Sequence, residues 1–317
     1  DVADRNIIGD ATGSGIVMQG GGSPPLVLGT YNNQVLNNYI GVGWNSTNNS
    51  YTNRANGTRG VHLLGHDNTL SGNLIGDNVQ AGILVSGIGA ANNVIADNFI
   101  GLSESGDTVL GNGNAGIHFS GDVGDAPSGN TVRYNTIAEN ADEGVWVEIG
   151  QHNKIRRNRI FDNGLLGIDL AAEGVTPNDD DGGIQQNDYA NRGQNFPVLT
   201  RAAGGFNTGV VSGSLTSTGG DFTVDVYASG SCDSSGNGEG QTWLKSATVT
   251  ISVPPQLDEG TATFDIPIST SNPLVLIGGA AITATATDPS GNTSEFSACV
   301  GYVNDTIFAD GFDPAPG

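Results

Sequence analysis

The sequence predicts an all-β chain, a parallel β-helix followed by a β-sandwich, and three observations carry that expectation. The frame Asn-x-apolar-x-x-Asn-x-Ile returns five times, as NNQVLNNYI, DNTLSGNLI, NNVIADNFI, GNTVRYNTI and HNKIRRNRI. It aligns Asn33, Asn68, Asn93, Asn130 and Asn153 in one column and Asn38, Asn73, Asn98, Asn135 and Asn158 in a second. A second frame, Asn-x-x-x-Gly followed by Ile or Val, sets Asn56, Asn78, Asn112, Asn140 and Asn163 four residues before Gly60, Gly82, Gly116, Gly144 and Gly167. Three polar corners and three short apolar strands thus recur per repeat, and the closest repeats, at Gly144 and Gly167, stand 23 residues apart. Only a coiled solenoid stacks such positions, each coil covering its neighbour's apolar edge while the asparagines form ladders at the bends.

Composition agrees. Among 317 residues there are 50 glycines, and 33 acidic side chains against 11 Lys and Arg leave a formal charge of −22. A helix-rich enzyme needs more of the strong helix formers than this. Such acidity excludes a nucleic-acid partner, which requires a basic footprint, and suits divalent cations or neutral ligands. No run of eighteen apolar residues is present, so no membrane span is expected, and the chain does not open on a signal peptide.

Along the chain, RNIIGDATGSGI fits the tail of a repeat, with Asn6, Ile8 and Gly15 in register. The chain is expected to begin in mid-coil, leaving an open end that invites self-association through the N-terminal coil. Excursions at 41–55 and 101–111 follow the same strand and are read either as the wall of a groove or as plain surface loops. After GIDL an acidic stretch, about 171–200, is expected to cap a β-helix occupying 1–200. Residues 201–304 then alternate as strands separated by turn signals such as DPSGN, which describes the sandwich. Residues 305–317 form a short polar tail. The even cysteine count, Cys232 and Cys299, in a lysine-poor chain of exported composition favours a disulfide over two buried thiols.

Taken together, NNVIADNFIG, LGIDLAAEGVTPND, QNFPVLT, SCDSSGNGEGQTWL and ATATDPSGNTSEFSACV resemble secreted bacterial right-handed parallel β-helix repeat proteins of the pectate-lyase-like superfamily with a C-terminal immunoglobulin-like module. The resemblance spans nearly the whole chain and implies a right-handed helix, an immunoglobulin-like sandwich bridged by Cys232 and Cys299, and an extracellular or cell-surface location. It implies no single activity, since that superfamily includes lyases, hydrolases, epimerases, tailspikes and adhesins. Its usual acidic segment reads NDxxDxDxGxN, whereas this chain reads NDDDGGIQQND. The ending IFADGFDP resembles a C-terminal signature of exported proteins.

Period-two alternation points one column outward, His62, Leu84, His118, Trp146 and Asp169, with Glu148 in the next. An indole beside two carboxylates and a histidine suits a sugar ring, with His118, Glu148 and Asp169 as candidate acid/base groups; the alternatives are an exposed face with an incidental Trp, or packing of the sandwich or a loop over Trp146. Trp44, with Tyr51 in the first excursion, is a further platform. A basic cluster, Arg133, Lys154, Arg156, Arg157 and Arg159, suits a uronate or sulfate. Lys154 and Arg156 are catalytic candidates there; the bland alternative is salt bridging to Glu139, Asp142, Glu143 or Asp162. Asn178, Asp179, Asp180, Asp181 and Asp188 supply hard oxygen ligands for Ca²⁺, against a solvated acidic loop. No organic cofactor is expected, and the four histidines do not pair as a zinc site. The expected function is binding of extracellular polysaccharide by a secreted β-helix protein. Its rivals are a polysaccharide lyase or glycoside hydrolase acting on an acidic glycan, and a structural protein or adhesin assembling through its open coil.

Overall fold

The computed structural model describes residues 5–19, 30–171, 174–179, 189–272 and 274–304. Its first part winds three parallel sheets around one core. The first sheet stacks Ile7–Ile8, Tyr39–Ile40, Leu74–Ile75, Phe99–Ile100, Thr136–Ala138 and Arg159–Phe161. In the second lie Ile16–Met18, Val61–Leu63, Ile83–Ser86, Ile117–Ser120, Val145–Val147 and Ile168–Leu170. The third holds Gln34–Leu36, Thr69–Ser71, Val94–Ala96, Thr131–Arg133 and Lys154–Arg156. Strand neighbours pair in parallel with like positions in register, such as Val94 with Thr131 and Thr131 with Lys154. The inward residues, among them Ile40, Leu70, Ile83, Ile95, Phe119, Val132 and Ile155, fill the core with almost no exposure.

The corners explain the repeat. Each ladder asparagine donates its amide to the side-chain oxygen of the next: Asn73 to Asn98 at 3.0 Å, Asn98 to Asn135 at 2.9 Å, Asn135 to Asn158 at 3.0 Å. The same oxygen also accepts the neighbour's backbone N–H, and the amide reaches a carbonyl of the preceding coil, so buried polar groups find partners without water. The residue before a ladder asparagine often takes left-handed backbone, as at Asp67, Asn92 and Asp97 with φ of 55–57°. The glycine column is steric: a Cβ on Gly82 would lie 2.8 Å from the Gly116 carbonyl of the next coil.

Against expectation, the 41–55 excursion does not stand beside Trp146. It is a hairpin, Val42–Asn45 paired with Ser50–Asn53, whose Trp44 and Tyr51 pack with Leu110 over Tyr39 and Leu74 on the outside of the first sheet. That outer column is apolar, and burying it draws both excursions down.

The C-terminal module has strands Val198–Gly204, Thr208–Ser217, Gly220–Ser229, Thr242–Ile251, Gly260–Ser269, Ala281–Thr287 and Val300–Asn304. They form one continuous seven-stranded sheet, rolled until Thr242–Ile251 contacts Gly260–Ser269, so the module is nearly a barrel. Val300–Asn304 runs parallel to Val198–Gly204 and joins two antiparallel halves. The first strand crosses the expected boundary at residue 200. Cys232 and Cys299 are bonded, tying the loop after Ser229 to the segment preceding Val300. Among the described residues no helix is long and apolar enough to cross a membrane.

Capping of the last coil is shared, where the sequence assigned it to the acidic stretch alone. From that stretch Ala190 joins the core, and Asn191 ends the first ladder by accepting the Asn153 N–H at 3.0 Å. The C-terminal module does the rest. Tyr227 and Phe296 enter the β-helix core, and Ile160 and Gly240 exchange two backbone hydrogen bonds. Glu295 accepts the Leu170 and Thr176 N–H groups, and Glu239 accepts those of Asp162 and Asn163. Burial pushes the Glu239 carboxyl up to about 6 and that of Glu295 up to about 7, against the hydrogen bonds that favour their charged forms.

Two outcomes follow. Asn98→Ala should orphan the buried Asn73 N–H and remove the amide's own bonds to Leu70 and Asn135, so thermal unfolding should show a loss of about 1–3 kcal/mol. The two raised carboxylates bind more protons folded than unfolded. Their contribution is therefore complete below the unfolded value of 4.5 and is lost as pH rises through about 6 to 7. Glu295→Gln should flatten the decline in stability measured by denaturant melts across that window.

Candidate functional site

The outer face of the third sheet forms an open trough of ≈ 480 Å³ where it meets the C-terminal module. Register makes it: Arg133 pairs with Arg156, and Thr131 with Lys154, one rung apart. Small side chains, Ser71 and Ala96, continue the Arg133 column toward the N-terminus. Tyr134 and Arg157 add to the wall, each with left-handed backbone at φ 58° and 54°. Asn, Asp or Gly would adopt that conformation at lower cost, and such departures cluster at functional sites.

Within the trough the cations have different duties. Arg156 makes a two-pronged ion pair with the fully buried Asp225 of the C-terminal module, at 2.6 and 3.1 Å, and also donates to Ser246. It is an anchor between modules, so its charge is already paired where it lines the trough. Arg157 donates to the Tyr134 hydroxyl at 3.0 Å and to Ser246, with its guanidinium carbon 4.8 Å from the Trp243 ring centre. Arg133 lies 5.7 Å over Tyr134. Among the described residues, Arg133, Lys154, Arg157 and Arg159 have no carboxylate within 4.0 Å, so the expected salt bridges to Glu139, Asp142, Glu143 and Asp162 do not form.

On the second sheet the expected column is present: His62, Leu84, His118, Trp146 and Asp169 pair in order. Its chemistry differs from the expectation. The rung spacing stacks His118 on Trp146, with ring centres 4.2 Å apart and planes 8° from parallel, so one indole face is occupied from within. The indole N–H donates to the Ala171 carbonyl. Glu148 accepts from Ser120 at 2.7 Å and contacts His118 Nε2 at 3.1 Å. Burial, assisted by Arg59, lowers the His118 pKa and outweighs Glu148. His62, also lowered by burial, contacts Ser86 at 2.8 Å. Asp169 is 1% exposed, because the backbone beyond it folds back and Gly174 donates to its carboxylate. An outward register position therefore became a covered one, which removes Asp169 from the accessible face.

The family description "Right handed beta helix region" matches residues 52–237. The chain belongs to the right-handed β-helix family. No curated protein matches the sequence. Among solved structures, the enzymatically active domain of bacteriophage CBA120 tailspike protein 2 aligns at 11% identity with a TM-score of 0.26, over 90% of this chain and 60% of that one. An alignment that loose carries no argument about activity.

For this β-helix family member the expected calcium ligands fall mostly outside the described residues, namely Asp180, Asp181 and Asp188. Of the other two, Asn178 clamps Phe196 through both ends of its amide and the Asp179 backbone N–H donates to Asn195 Oδ1. Sequence reasoning did not foresee the part of Tyr134, nor Asp225, Trp243 and Ser246 from the C-terminal module. The readable signal was positional: Tyr134 and Arg157 stand where the repeat otherwise places Asn, Asp or Gly.

Asp225→Ala should strand the Arg156 charge between modules. The expected loss is about 3 kcal/mol, at the low end for a broken buried pair because Arg156 keeps 21% of its side chain exposed. Equilibrium denaturation checks it, and the double change Asp225→Ala with Arg156→Met should recover most of the loss.

Proposed function

We propose that this protein binds an acidic extracellular polysaccharide along the trough of the third sheet. One observation carries the reading: a chain of net charge −22 gathers Arg133, Lys154 and Arg157 on one face without carboxylate partners there. The overall field of such a chain repels polyanions, so a local positive trough is the feature that lets one approach. Neighbouring rungs stand about 4.8 Å apart, close to the rise of one sugar residue in an extended chain. Successive carboxylates or sulfates therefore meet successive rungs. Arg133 and Arg157 present planar guanidinium groups, which suit carboxylate and sulfate, and Tyr134 offers a ring for the sugar's apolar face. An extracellular or cell-surface setting fits both the ligand and the Cys232–Cys299 bond.

A second reading rests on Lys154, which lines the same trough as Arg133 and has no carboxylate within 4.0 Å among the described residues. Neutralising a uronate at Arg133 would expose its neighbouring carbon-bound proton to a base, the requirement of a lyase.

Calorimetric titration with polygalacturonate, a sulfated glycan and a neutral glucan tests both. The parent should bind an acidic chain and not the glucan, with affinity falling steeply in salt. Arg133→Gln with Lys154→Gln should weaken binding by about tenfold or more, or 1.4 kcal/mol, at an unchanged melting temperature. Equal affinity for the glucan, or no loss in the double variant, would overturn the binding reading. Absorbance from unsaturated uronate would establish the lyase.

A further inference from the structure

At the corner leading into the second sheet, the position before the column glycine reads Arg59, Ala81, Ala115, Glu143 and Leu166 on successive coils. Two alanines in the middle of that column, 3% and 1% exposed, leave a notch of ≈ 230 Å³. Arg59 stands at one end and Asp142 at the other, with Gln80 and Asn114 between them and the His118–Trp146 stack forming a wall. The notch lies on a different sheet from the cationic trough and owes nothing to it.

We propose that this notch binds an uncharged sugar residue. Its polar groups are complementary to hydroxyls. Gln80 lines the notch, and its buried side-chain oxygen accepts no hydrogen bond within the protein, so a ligand hydroxyl would satisfy it once that side chain turns outward. Asp142 accepts one Asn114 amide hydrogen at 2.9 Å, which fixes that carboxylate at the rim. Arg59 supplies donors and has no carboxylate within 4.0 Å among the described residues. One cation and one anion at opposite ends leave no net charge for an ionic ligand to neutralise, and Glu148 beyond His118 adds a further negative group. The imidazole engages Glu148 through Nε2, which leaves Nδ1 to accept a hydrogen bond from a hydroxyl. Aromatic ring edges beside fixed donors and acceptors are the usual make-up of a saccharide pocket. The volume lies below the roughly 300 Å³ at which sites for drug-sized ligands begin, so one ring rather than a long segment is the fit.

Tryptophan fluorescence and saturation-transfer NMR with glucose, galactose, mannose and N-acetylglucosamine test this, with galacturonate as the charged comparison. At least one uncharged sugar should give a saturable response in the parent. Ala115→Leu should fill the notch and weaken that response by about tenfold or more; Leu166 already occupies the same column, so a coil accommodates leucine there. Arg133→Gln should leave it unchanged, separating this site from the trough. Should Ala115→Leu fail to match the parent's melting temperature, Gln80→Ala decides instead, again with a loss of about tenfold expected. The assignment is wrong if none of the four sugars saturates, if the folded notch variant binds as the parent does, or if galacturonate binds about tenfold more tightly than every uncharged sugar.

Discussion

The asparagine amide at each corner is the interaction on which the rest of this molecule depends. An amide carries a donor and an acceptor at one end of a short side chain, so stacked copies bond to one another and still reach the backbone of the neighbouring coil. That doubly used group satisfies buried polar atoms at the bends and locks every coil to the same register. Were the register free to slip by one residue, the inward isoleucines would exchange with the outward histidines and arginines. Columns of like side chains on the outer faces exist because the ladders permit only one alignment.

A solenoid solves its interior well and its ends badly. Each internal strand here has a partner on both sides, whereas the last coil would present bare N–H and C=O groups and apolar side chains. The C-terminal module answers with side chains, not with another coil. Tyr227 and Phe296 continue the core, and Thr293, Asn292, Glu239 and Glu295 accept backbone N–H groups from the last turn. The two glutamates are drawn out of water to do so, which ties the junction to pH. Arg156 is part of the same arrangement, and its pairing with Asp225 sets the edge of the trough where the remaining cations face solvent.

Outer faces divide by what their columns offer. On the first sheet the column is apolar, Tyr39, Leu74 and Phe99, and the excursions cover it. Along the second, aromatic and imidazole rings stack on one another at the rung spacing and leave a polar notch beside them. The third presents cations over small residues and stays open. In an acidic chain this last face is the one at which an anionic ligand gains most, since elsewhere the field opposes it.

The sequence by itself determined the coil. Three asparagine columns, the glycine column and the inward isoleucines were legible because a solenoid repeats one local rule, and each residue's environment follows from its place in the repeat. Even the pairing of His118 with Trp146 and of Arg133 with Arg156 could be read in this way. Tertiary structure decided which outward residues remain outward. Asp169 is covered by the chain that follows it, Trp44 is drawn onto the first sheet, and Arg156 is taken by Asp225, 69 residues later in the chain. Those contacts join segments with no shared period, the capping loops and the C-terminal module. They are set by complementary surfaces that meet only after both parts have folded, so no pattern along the chain announces them.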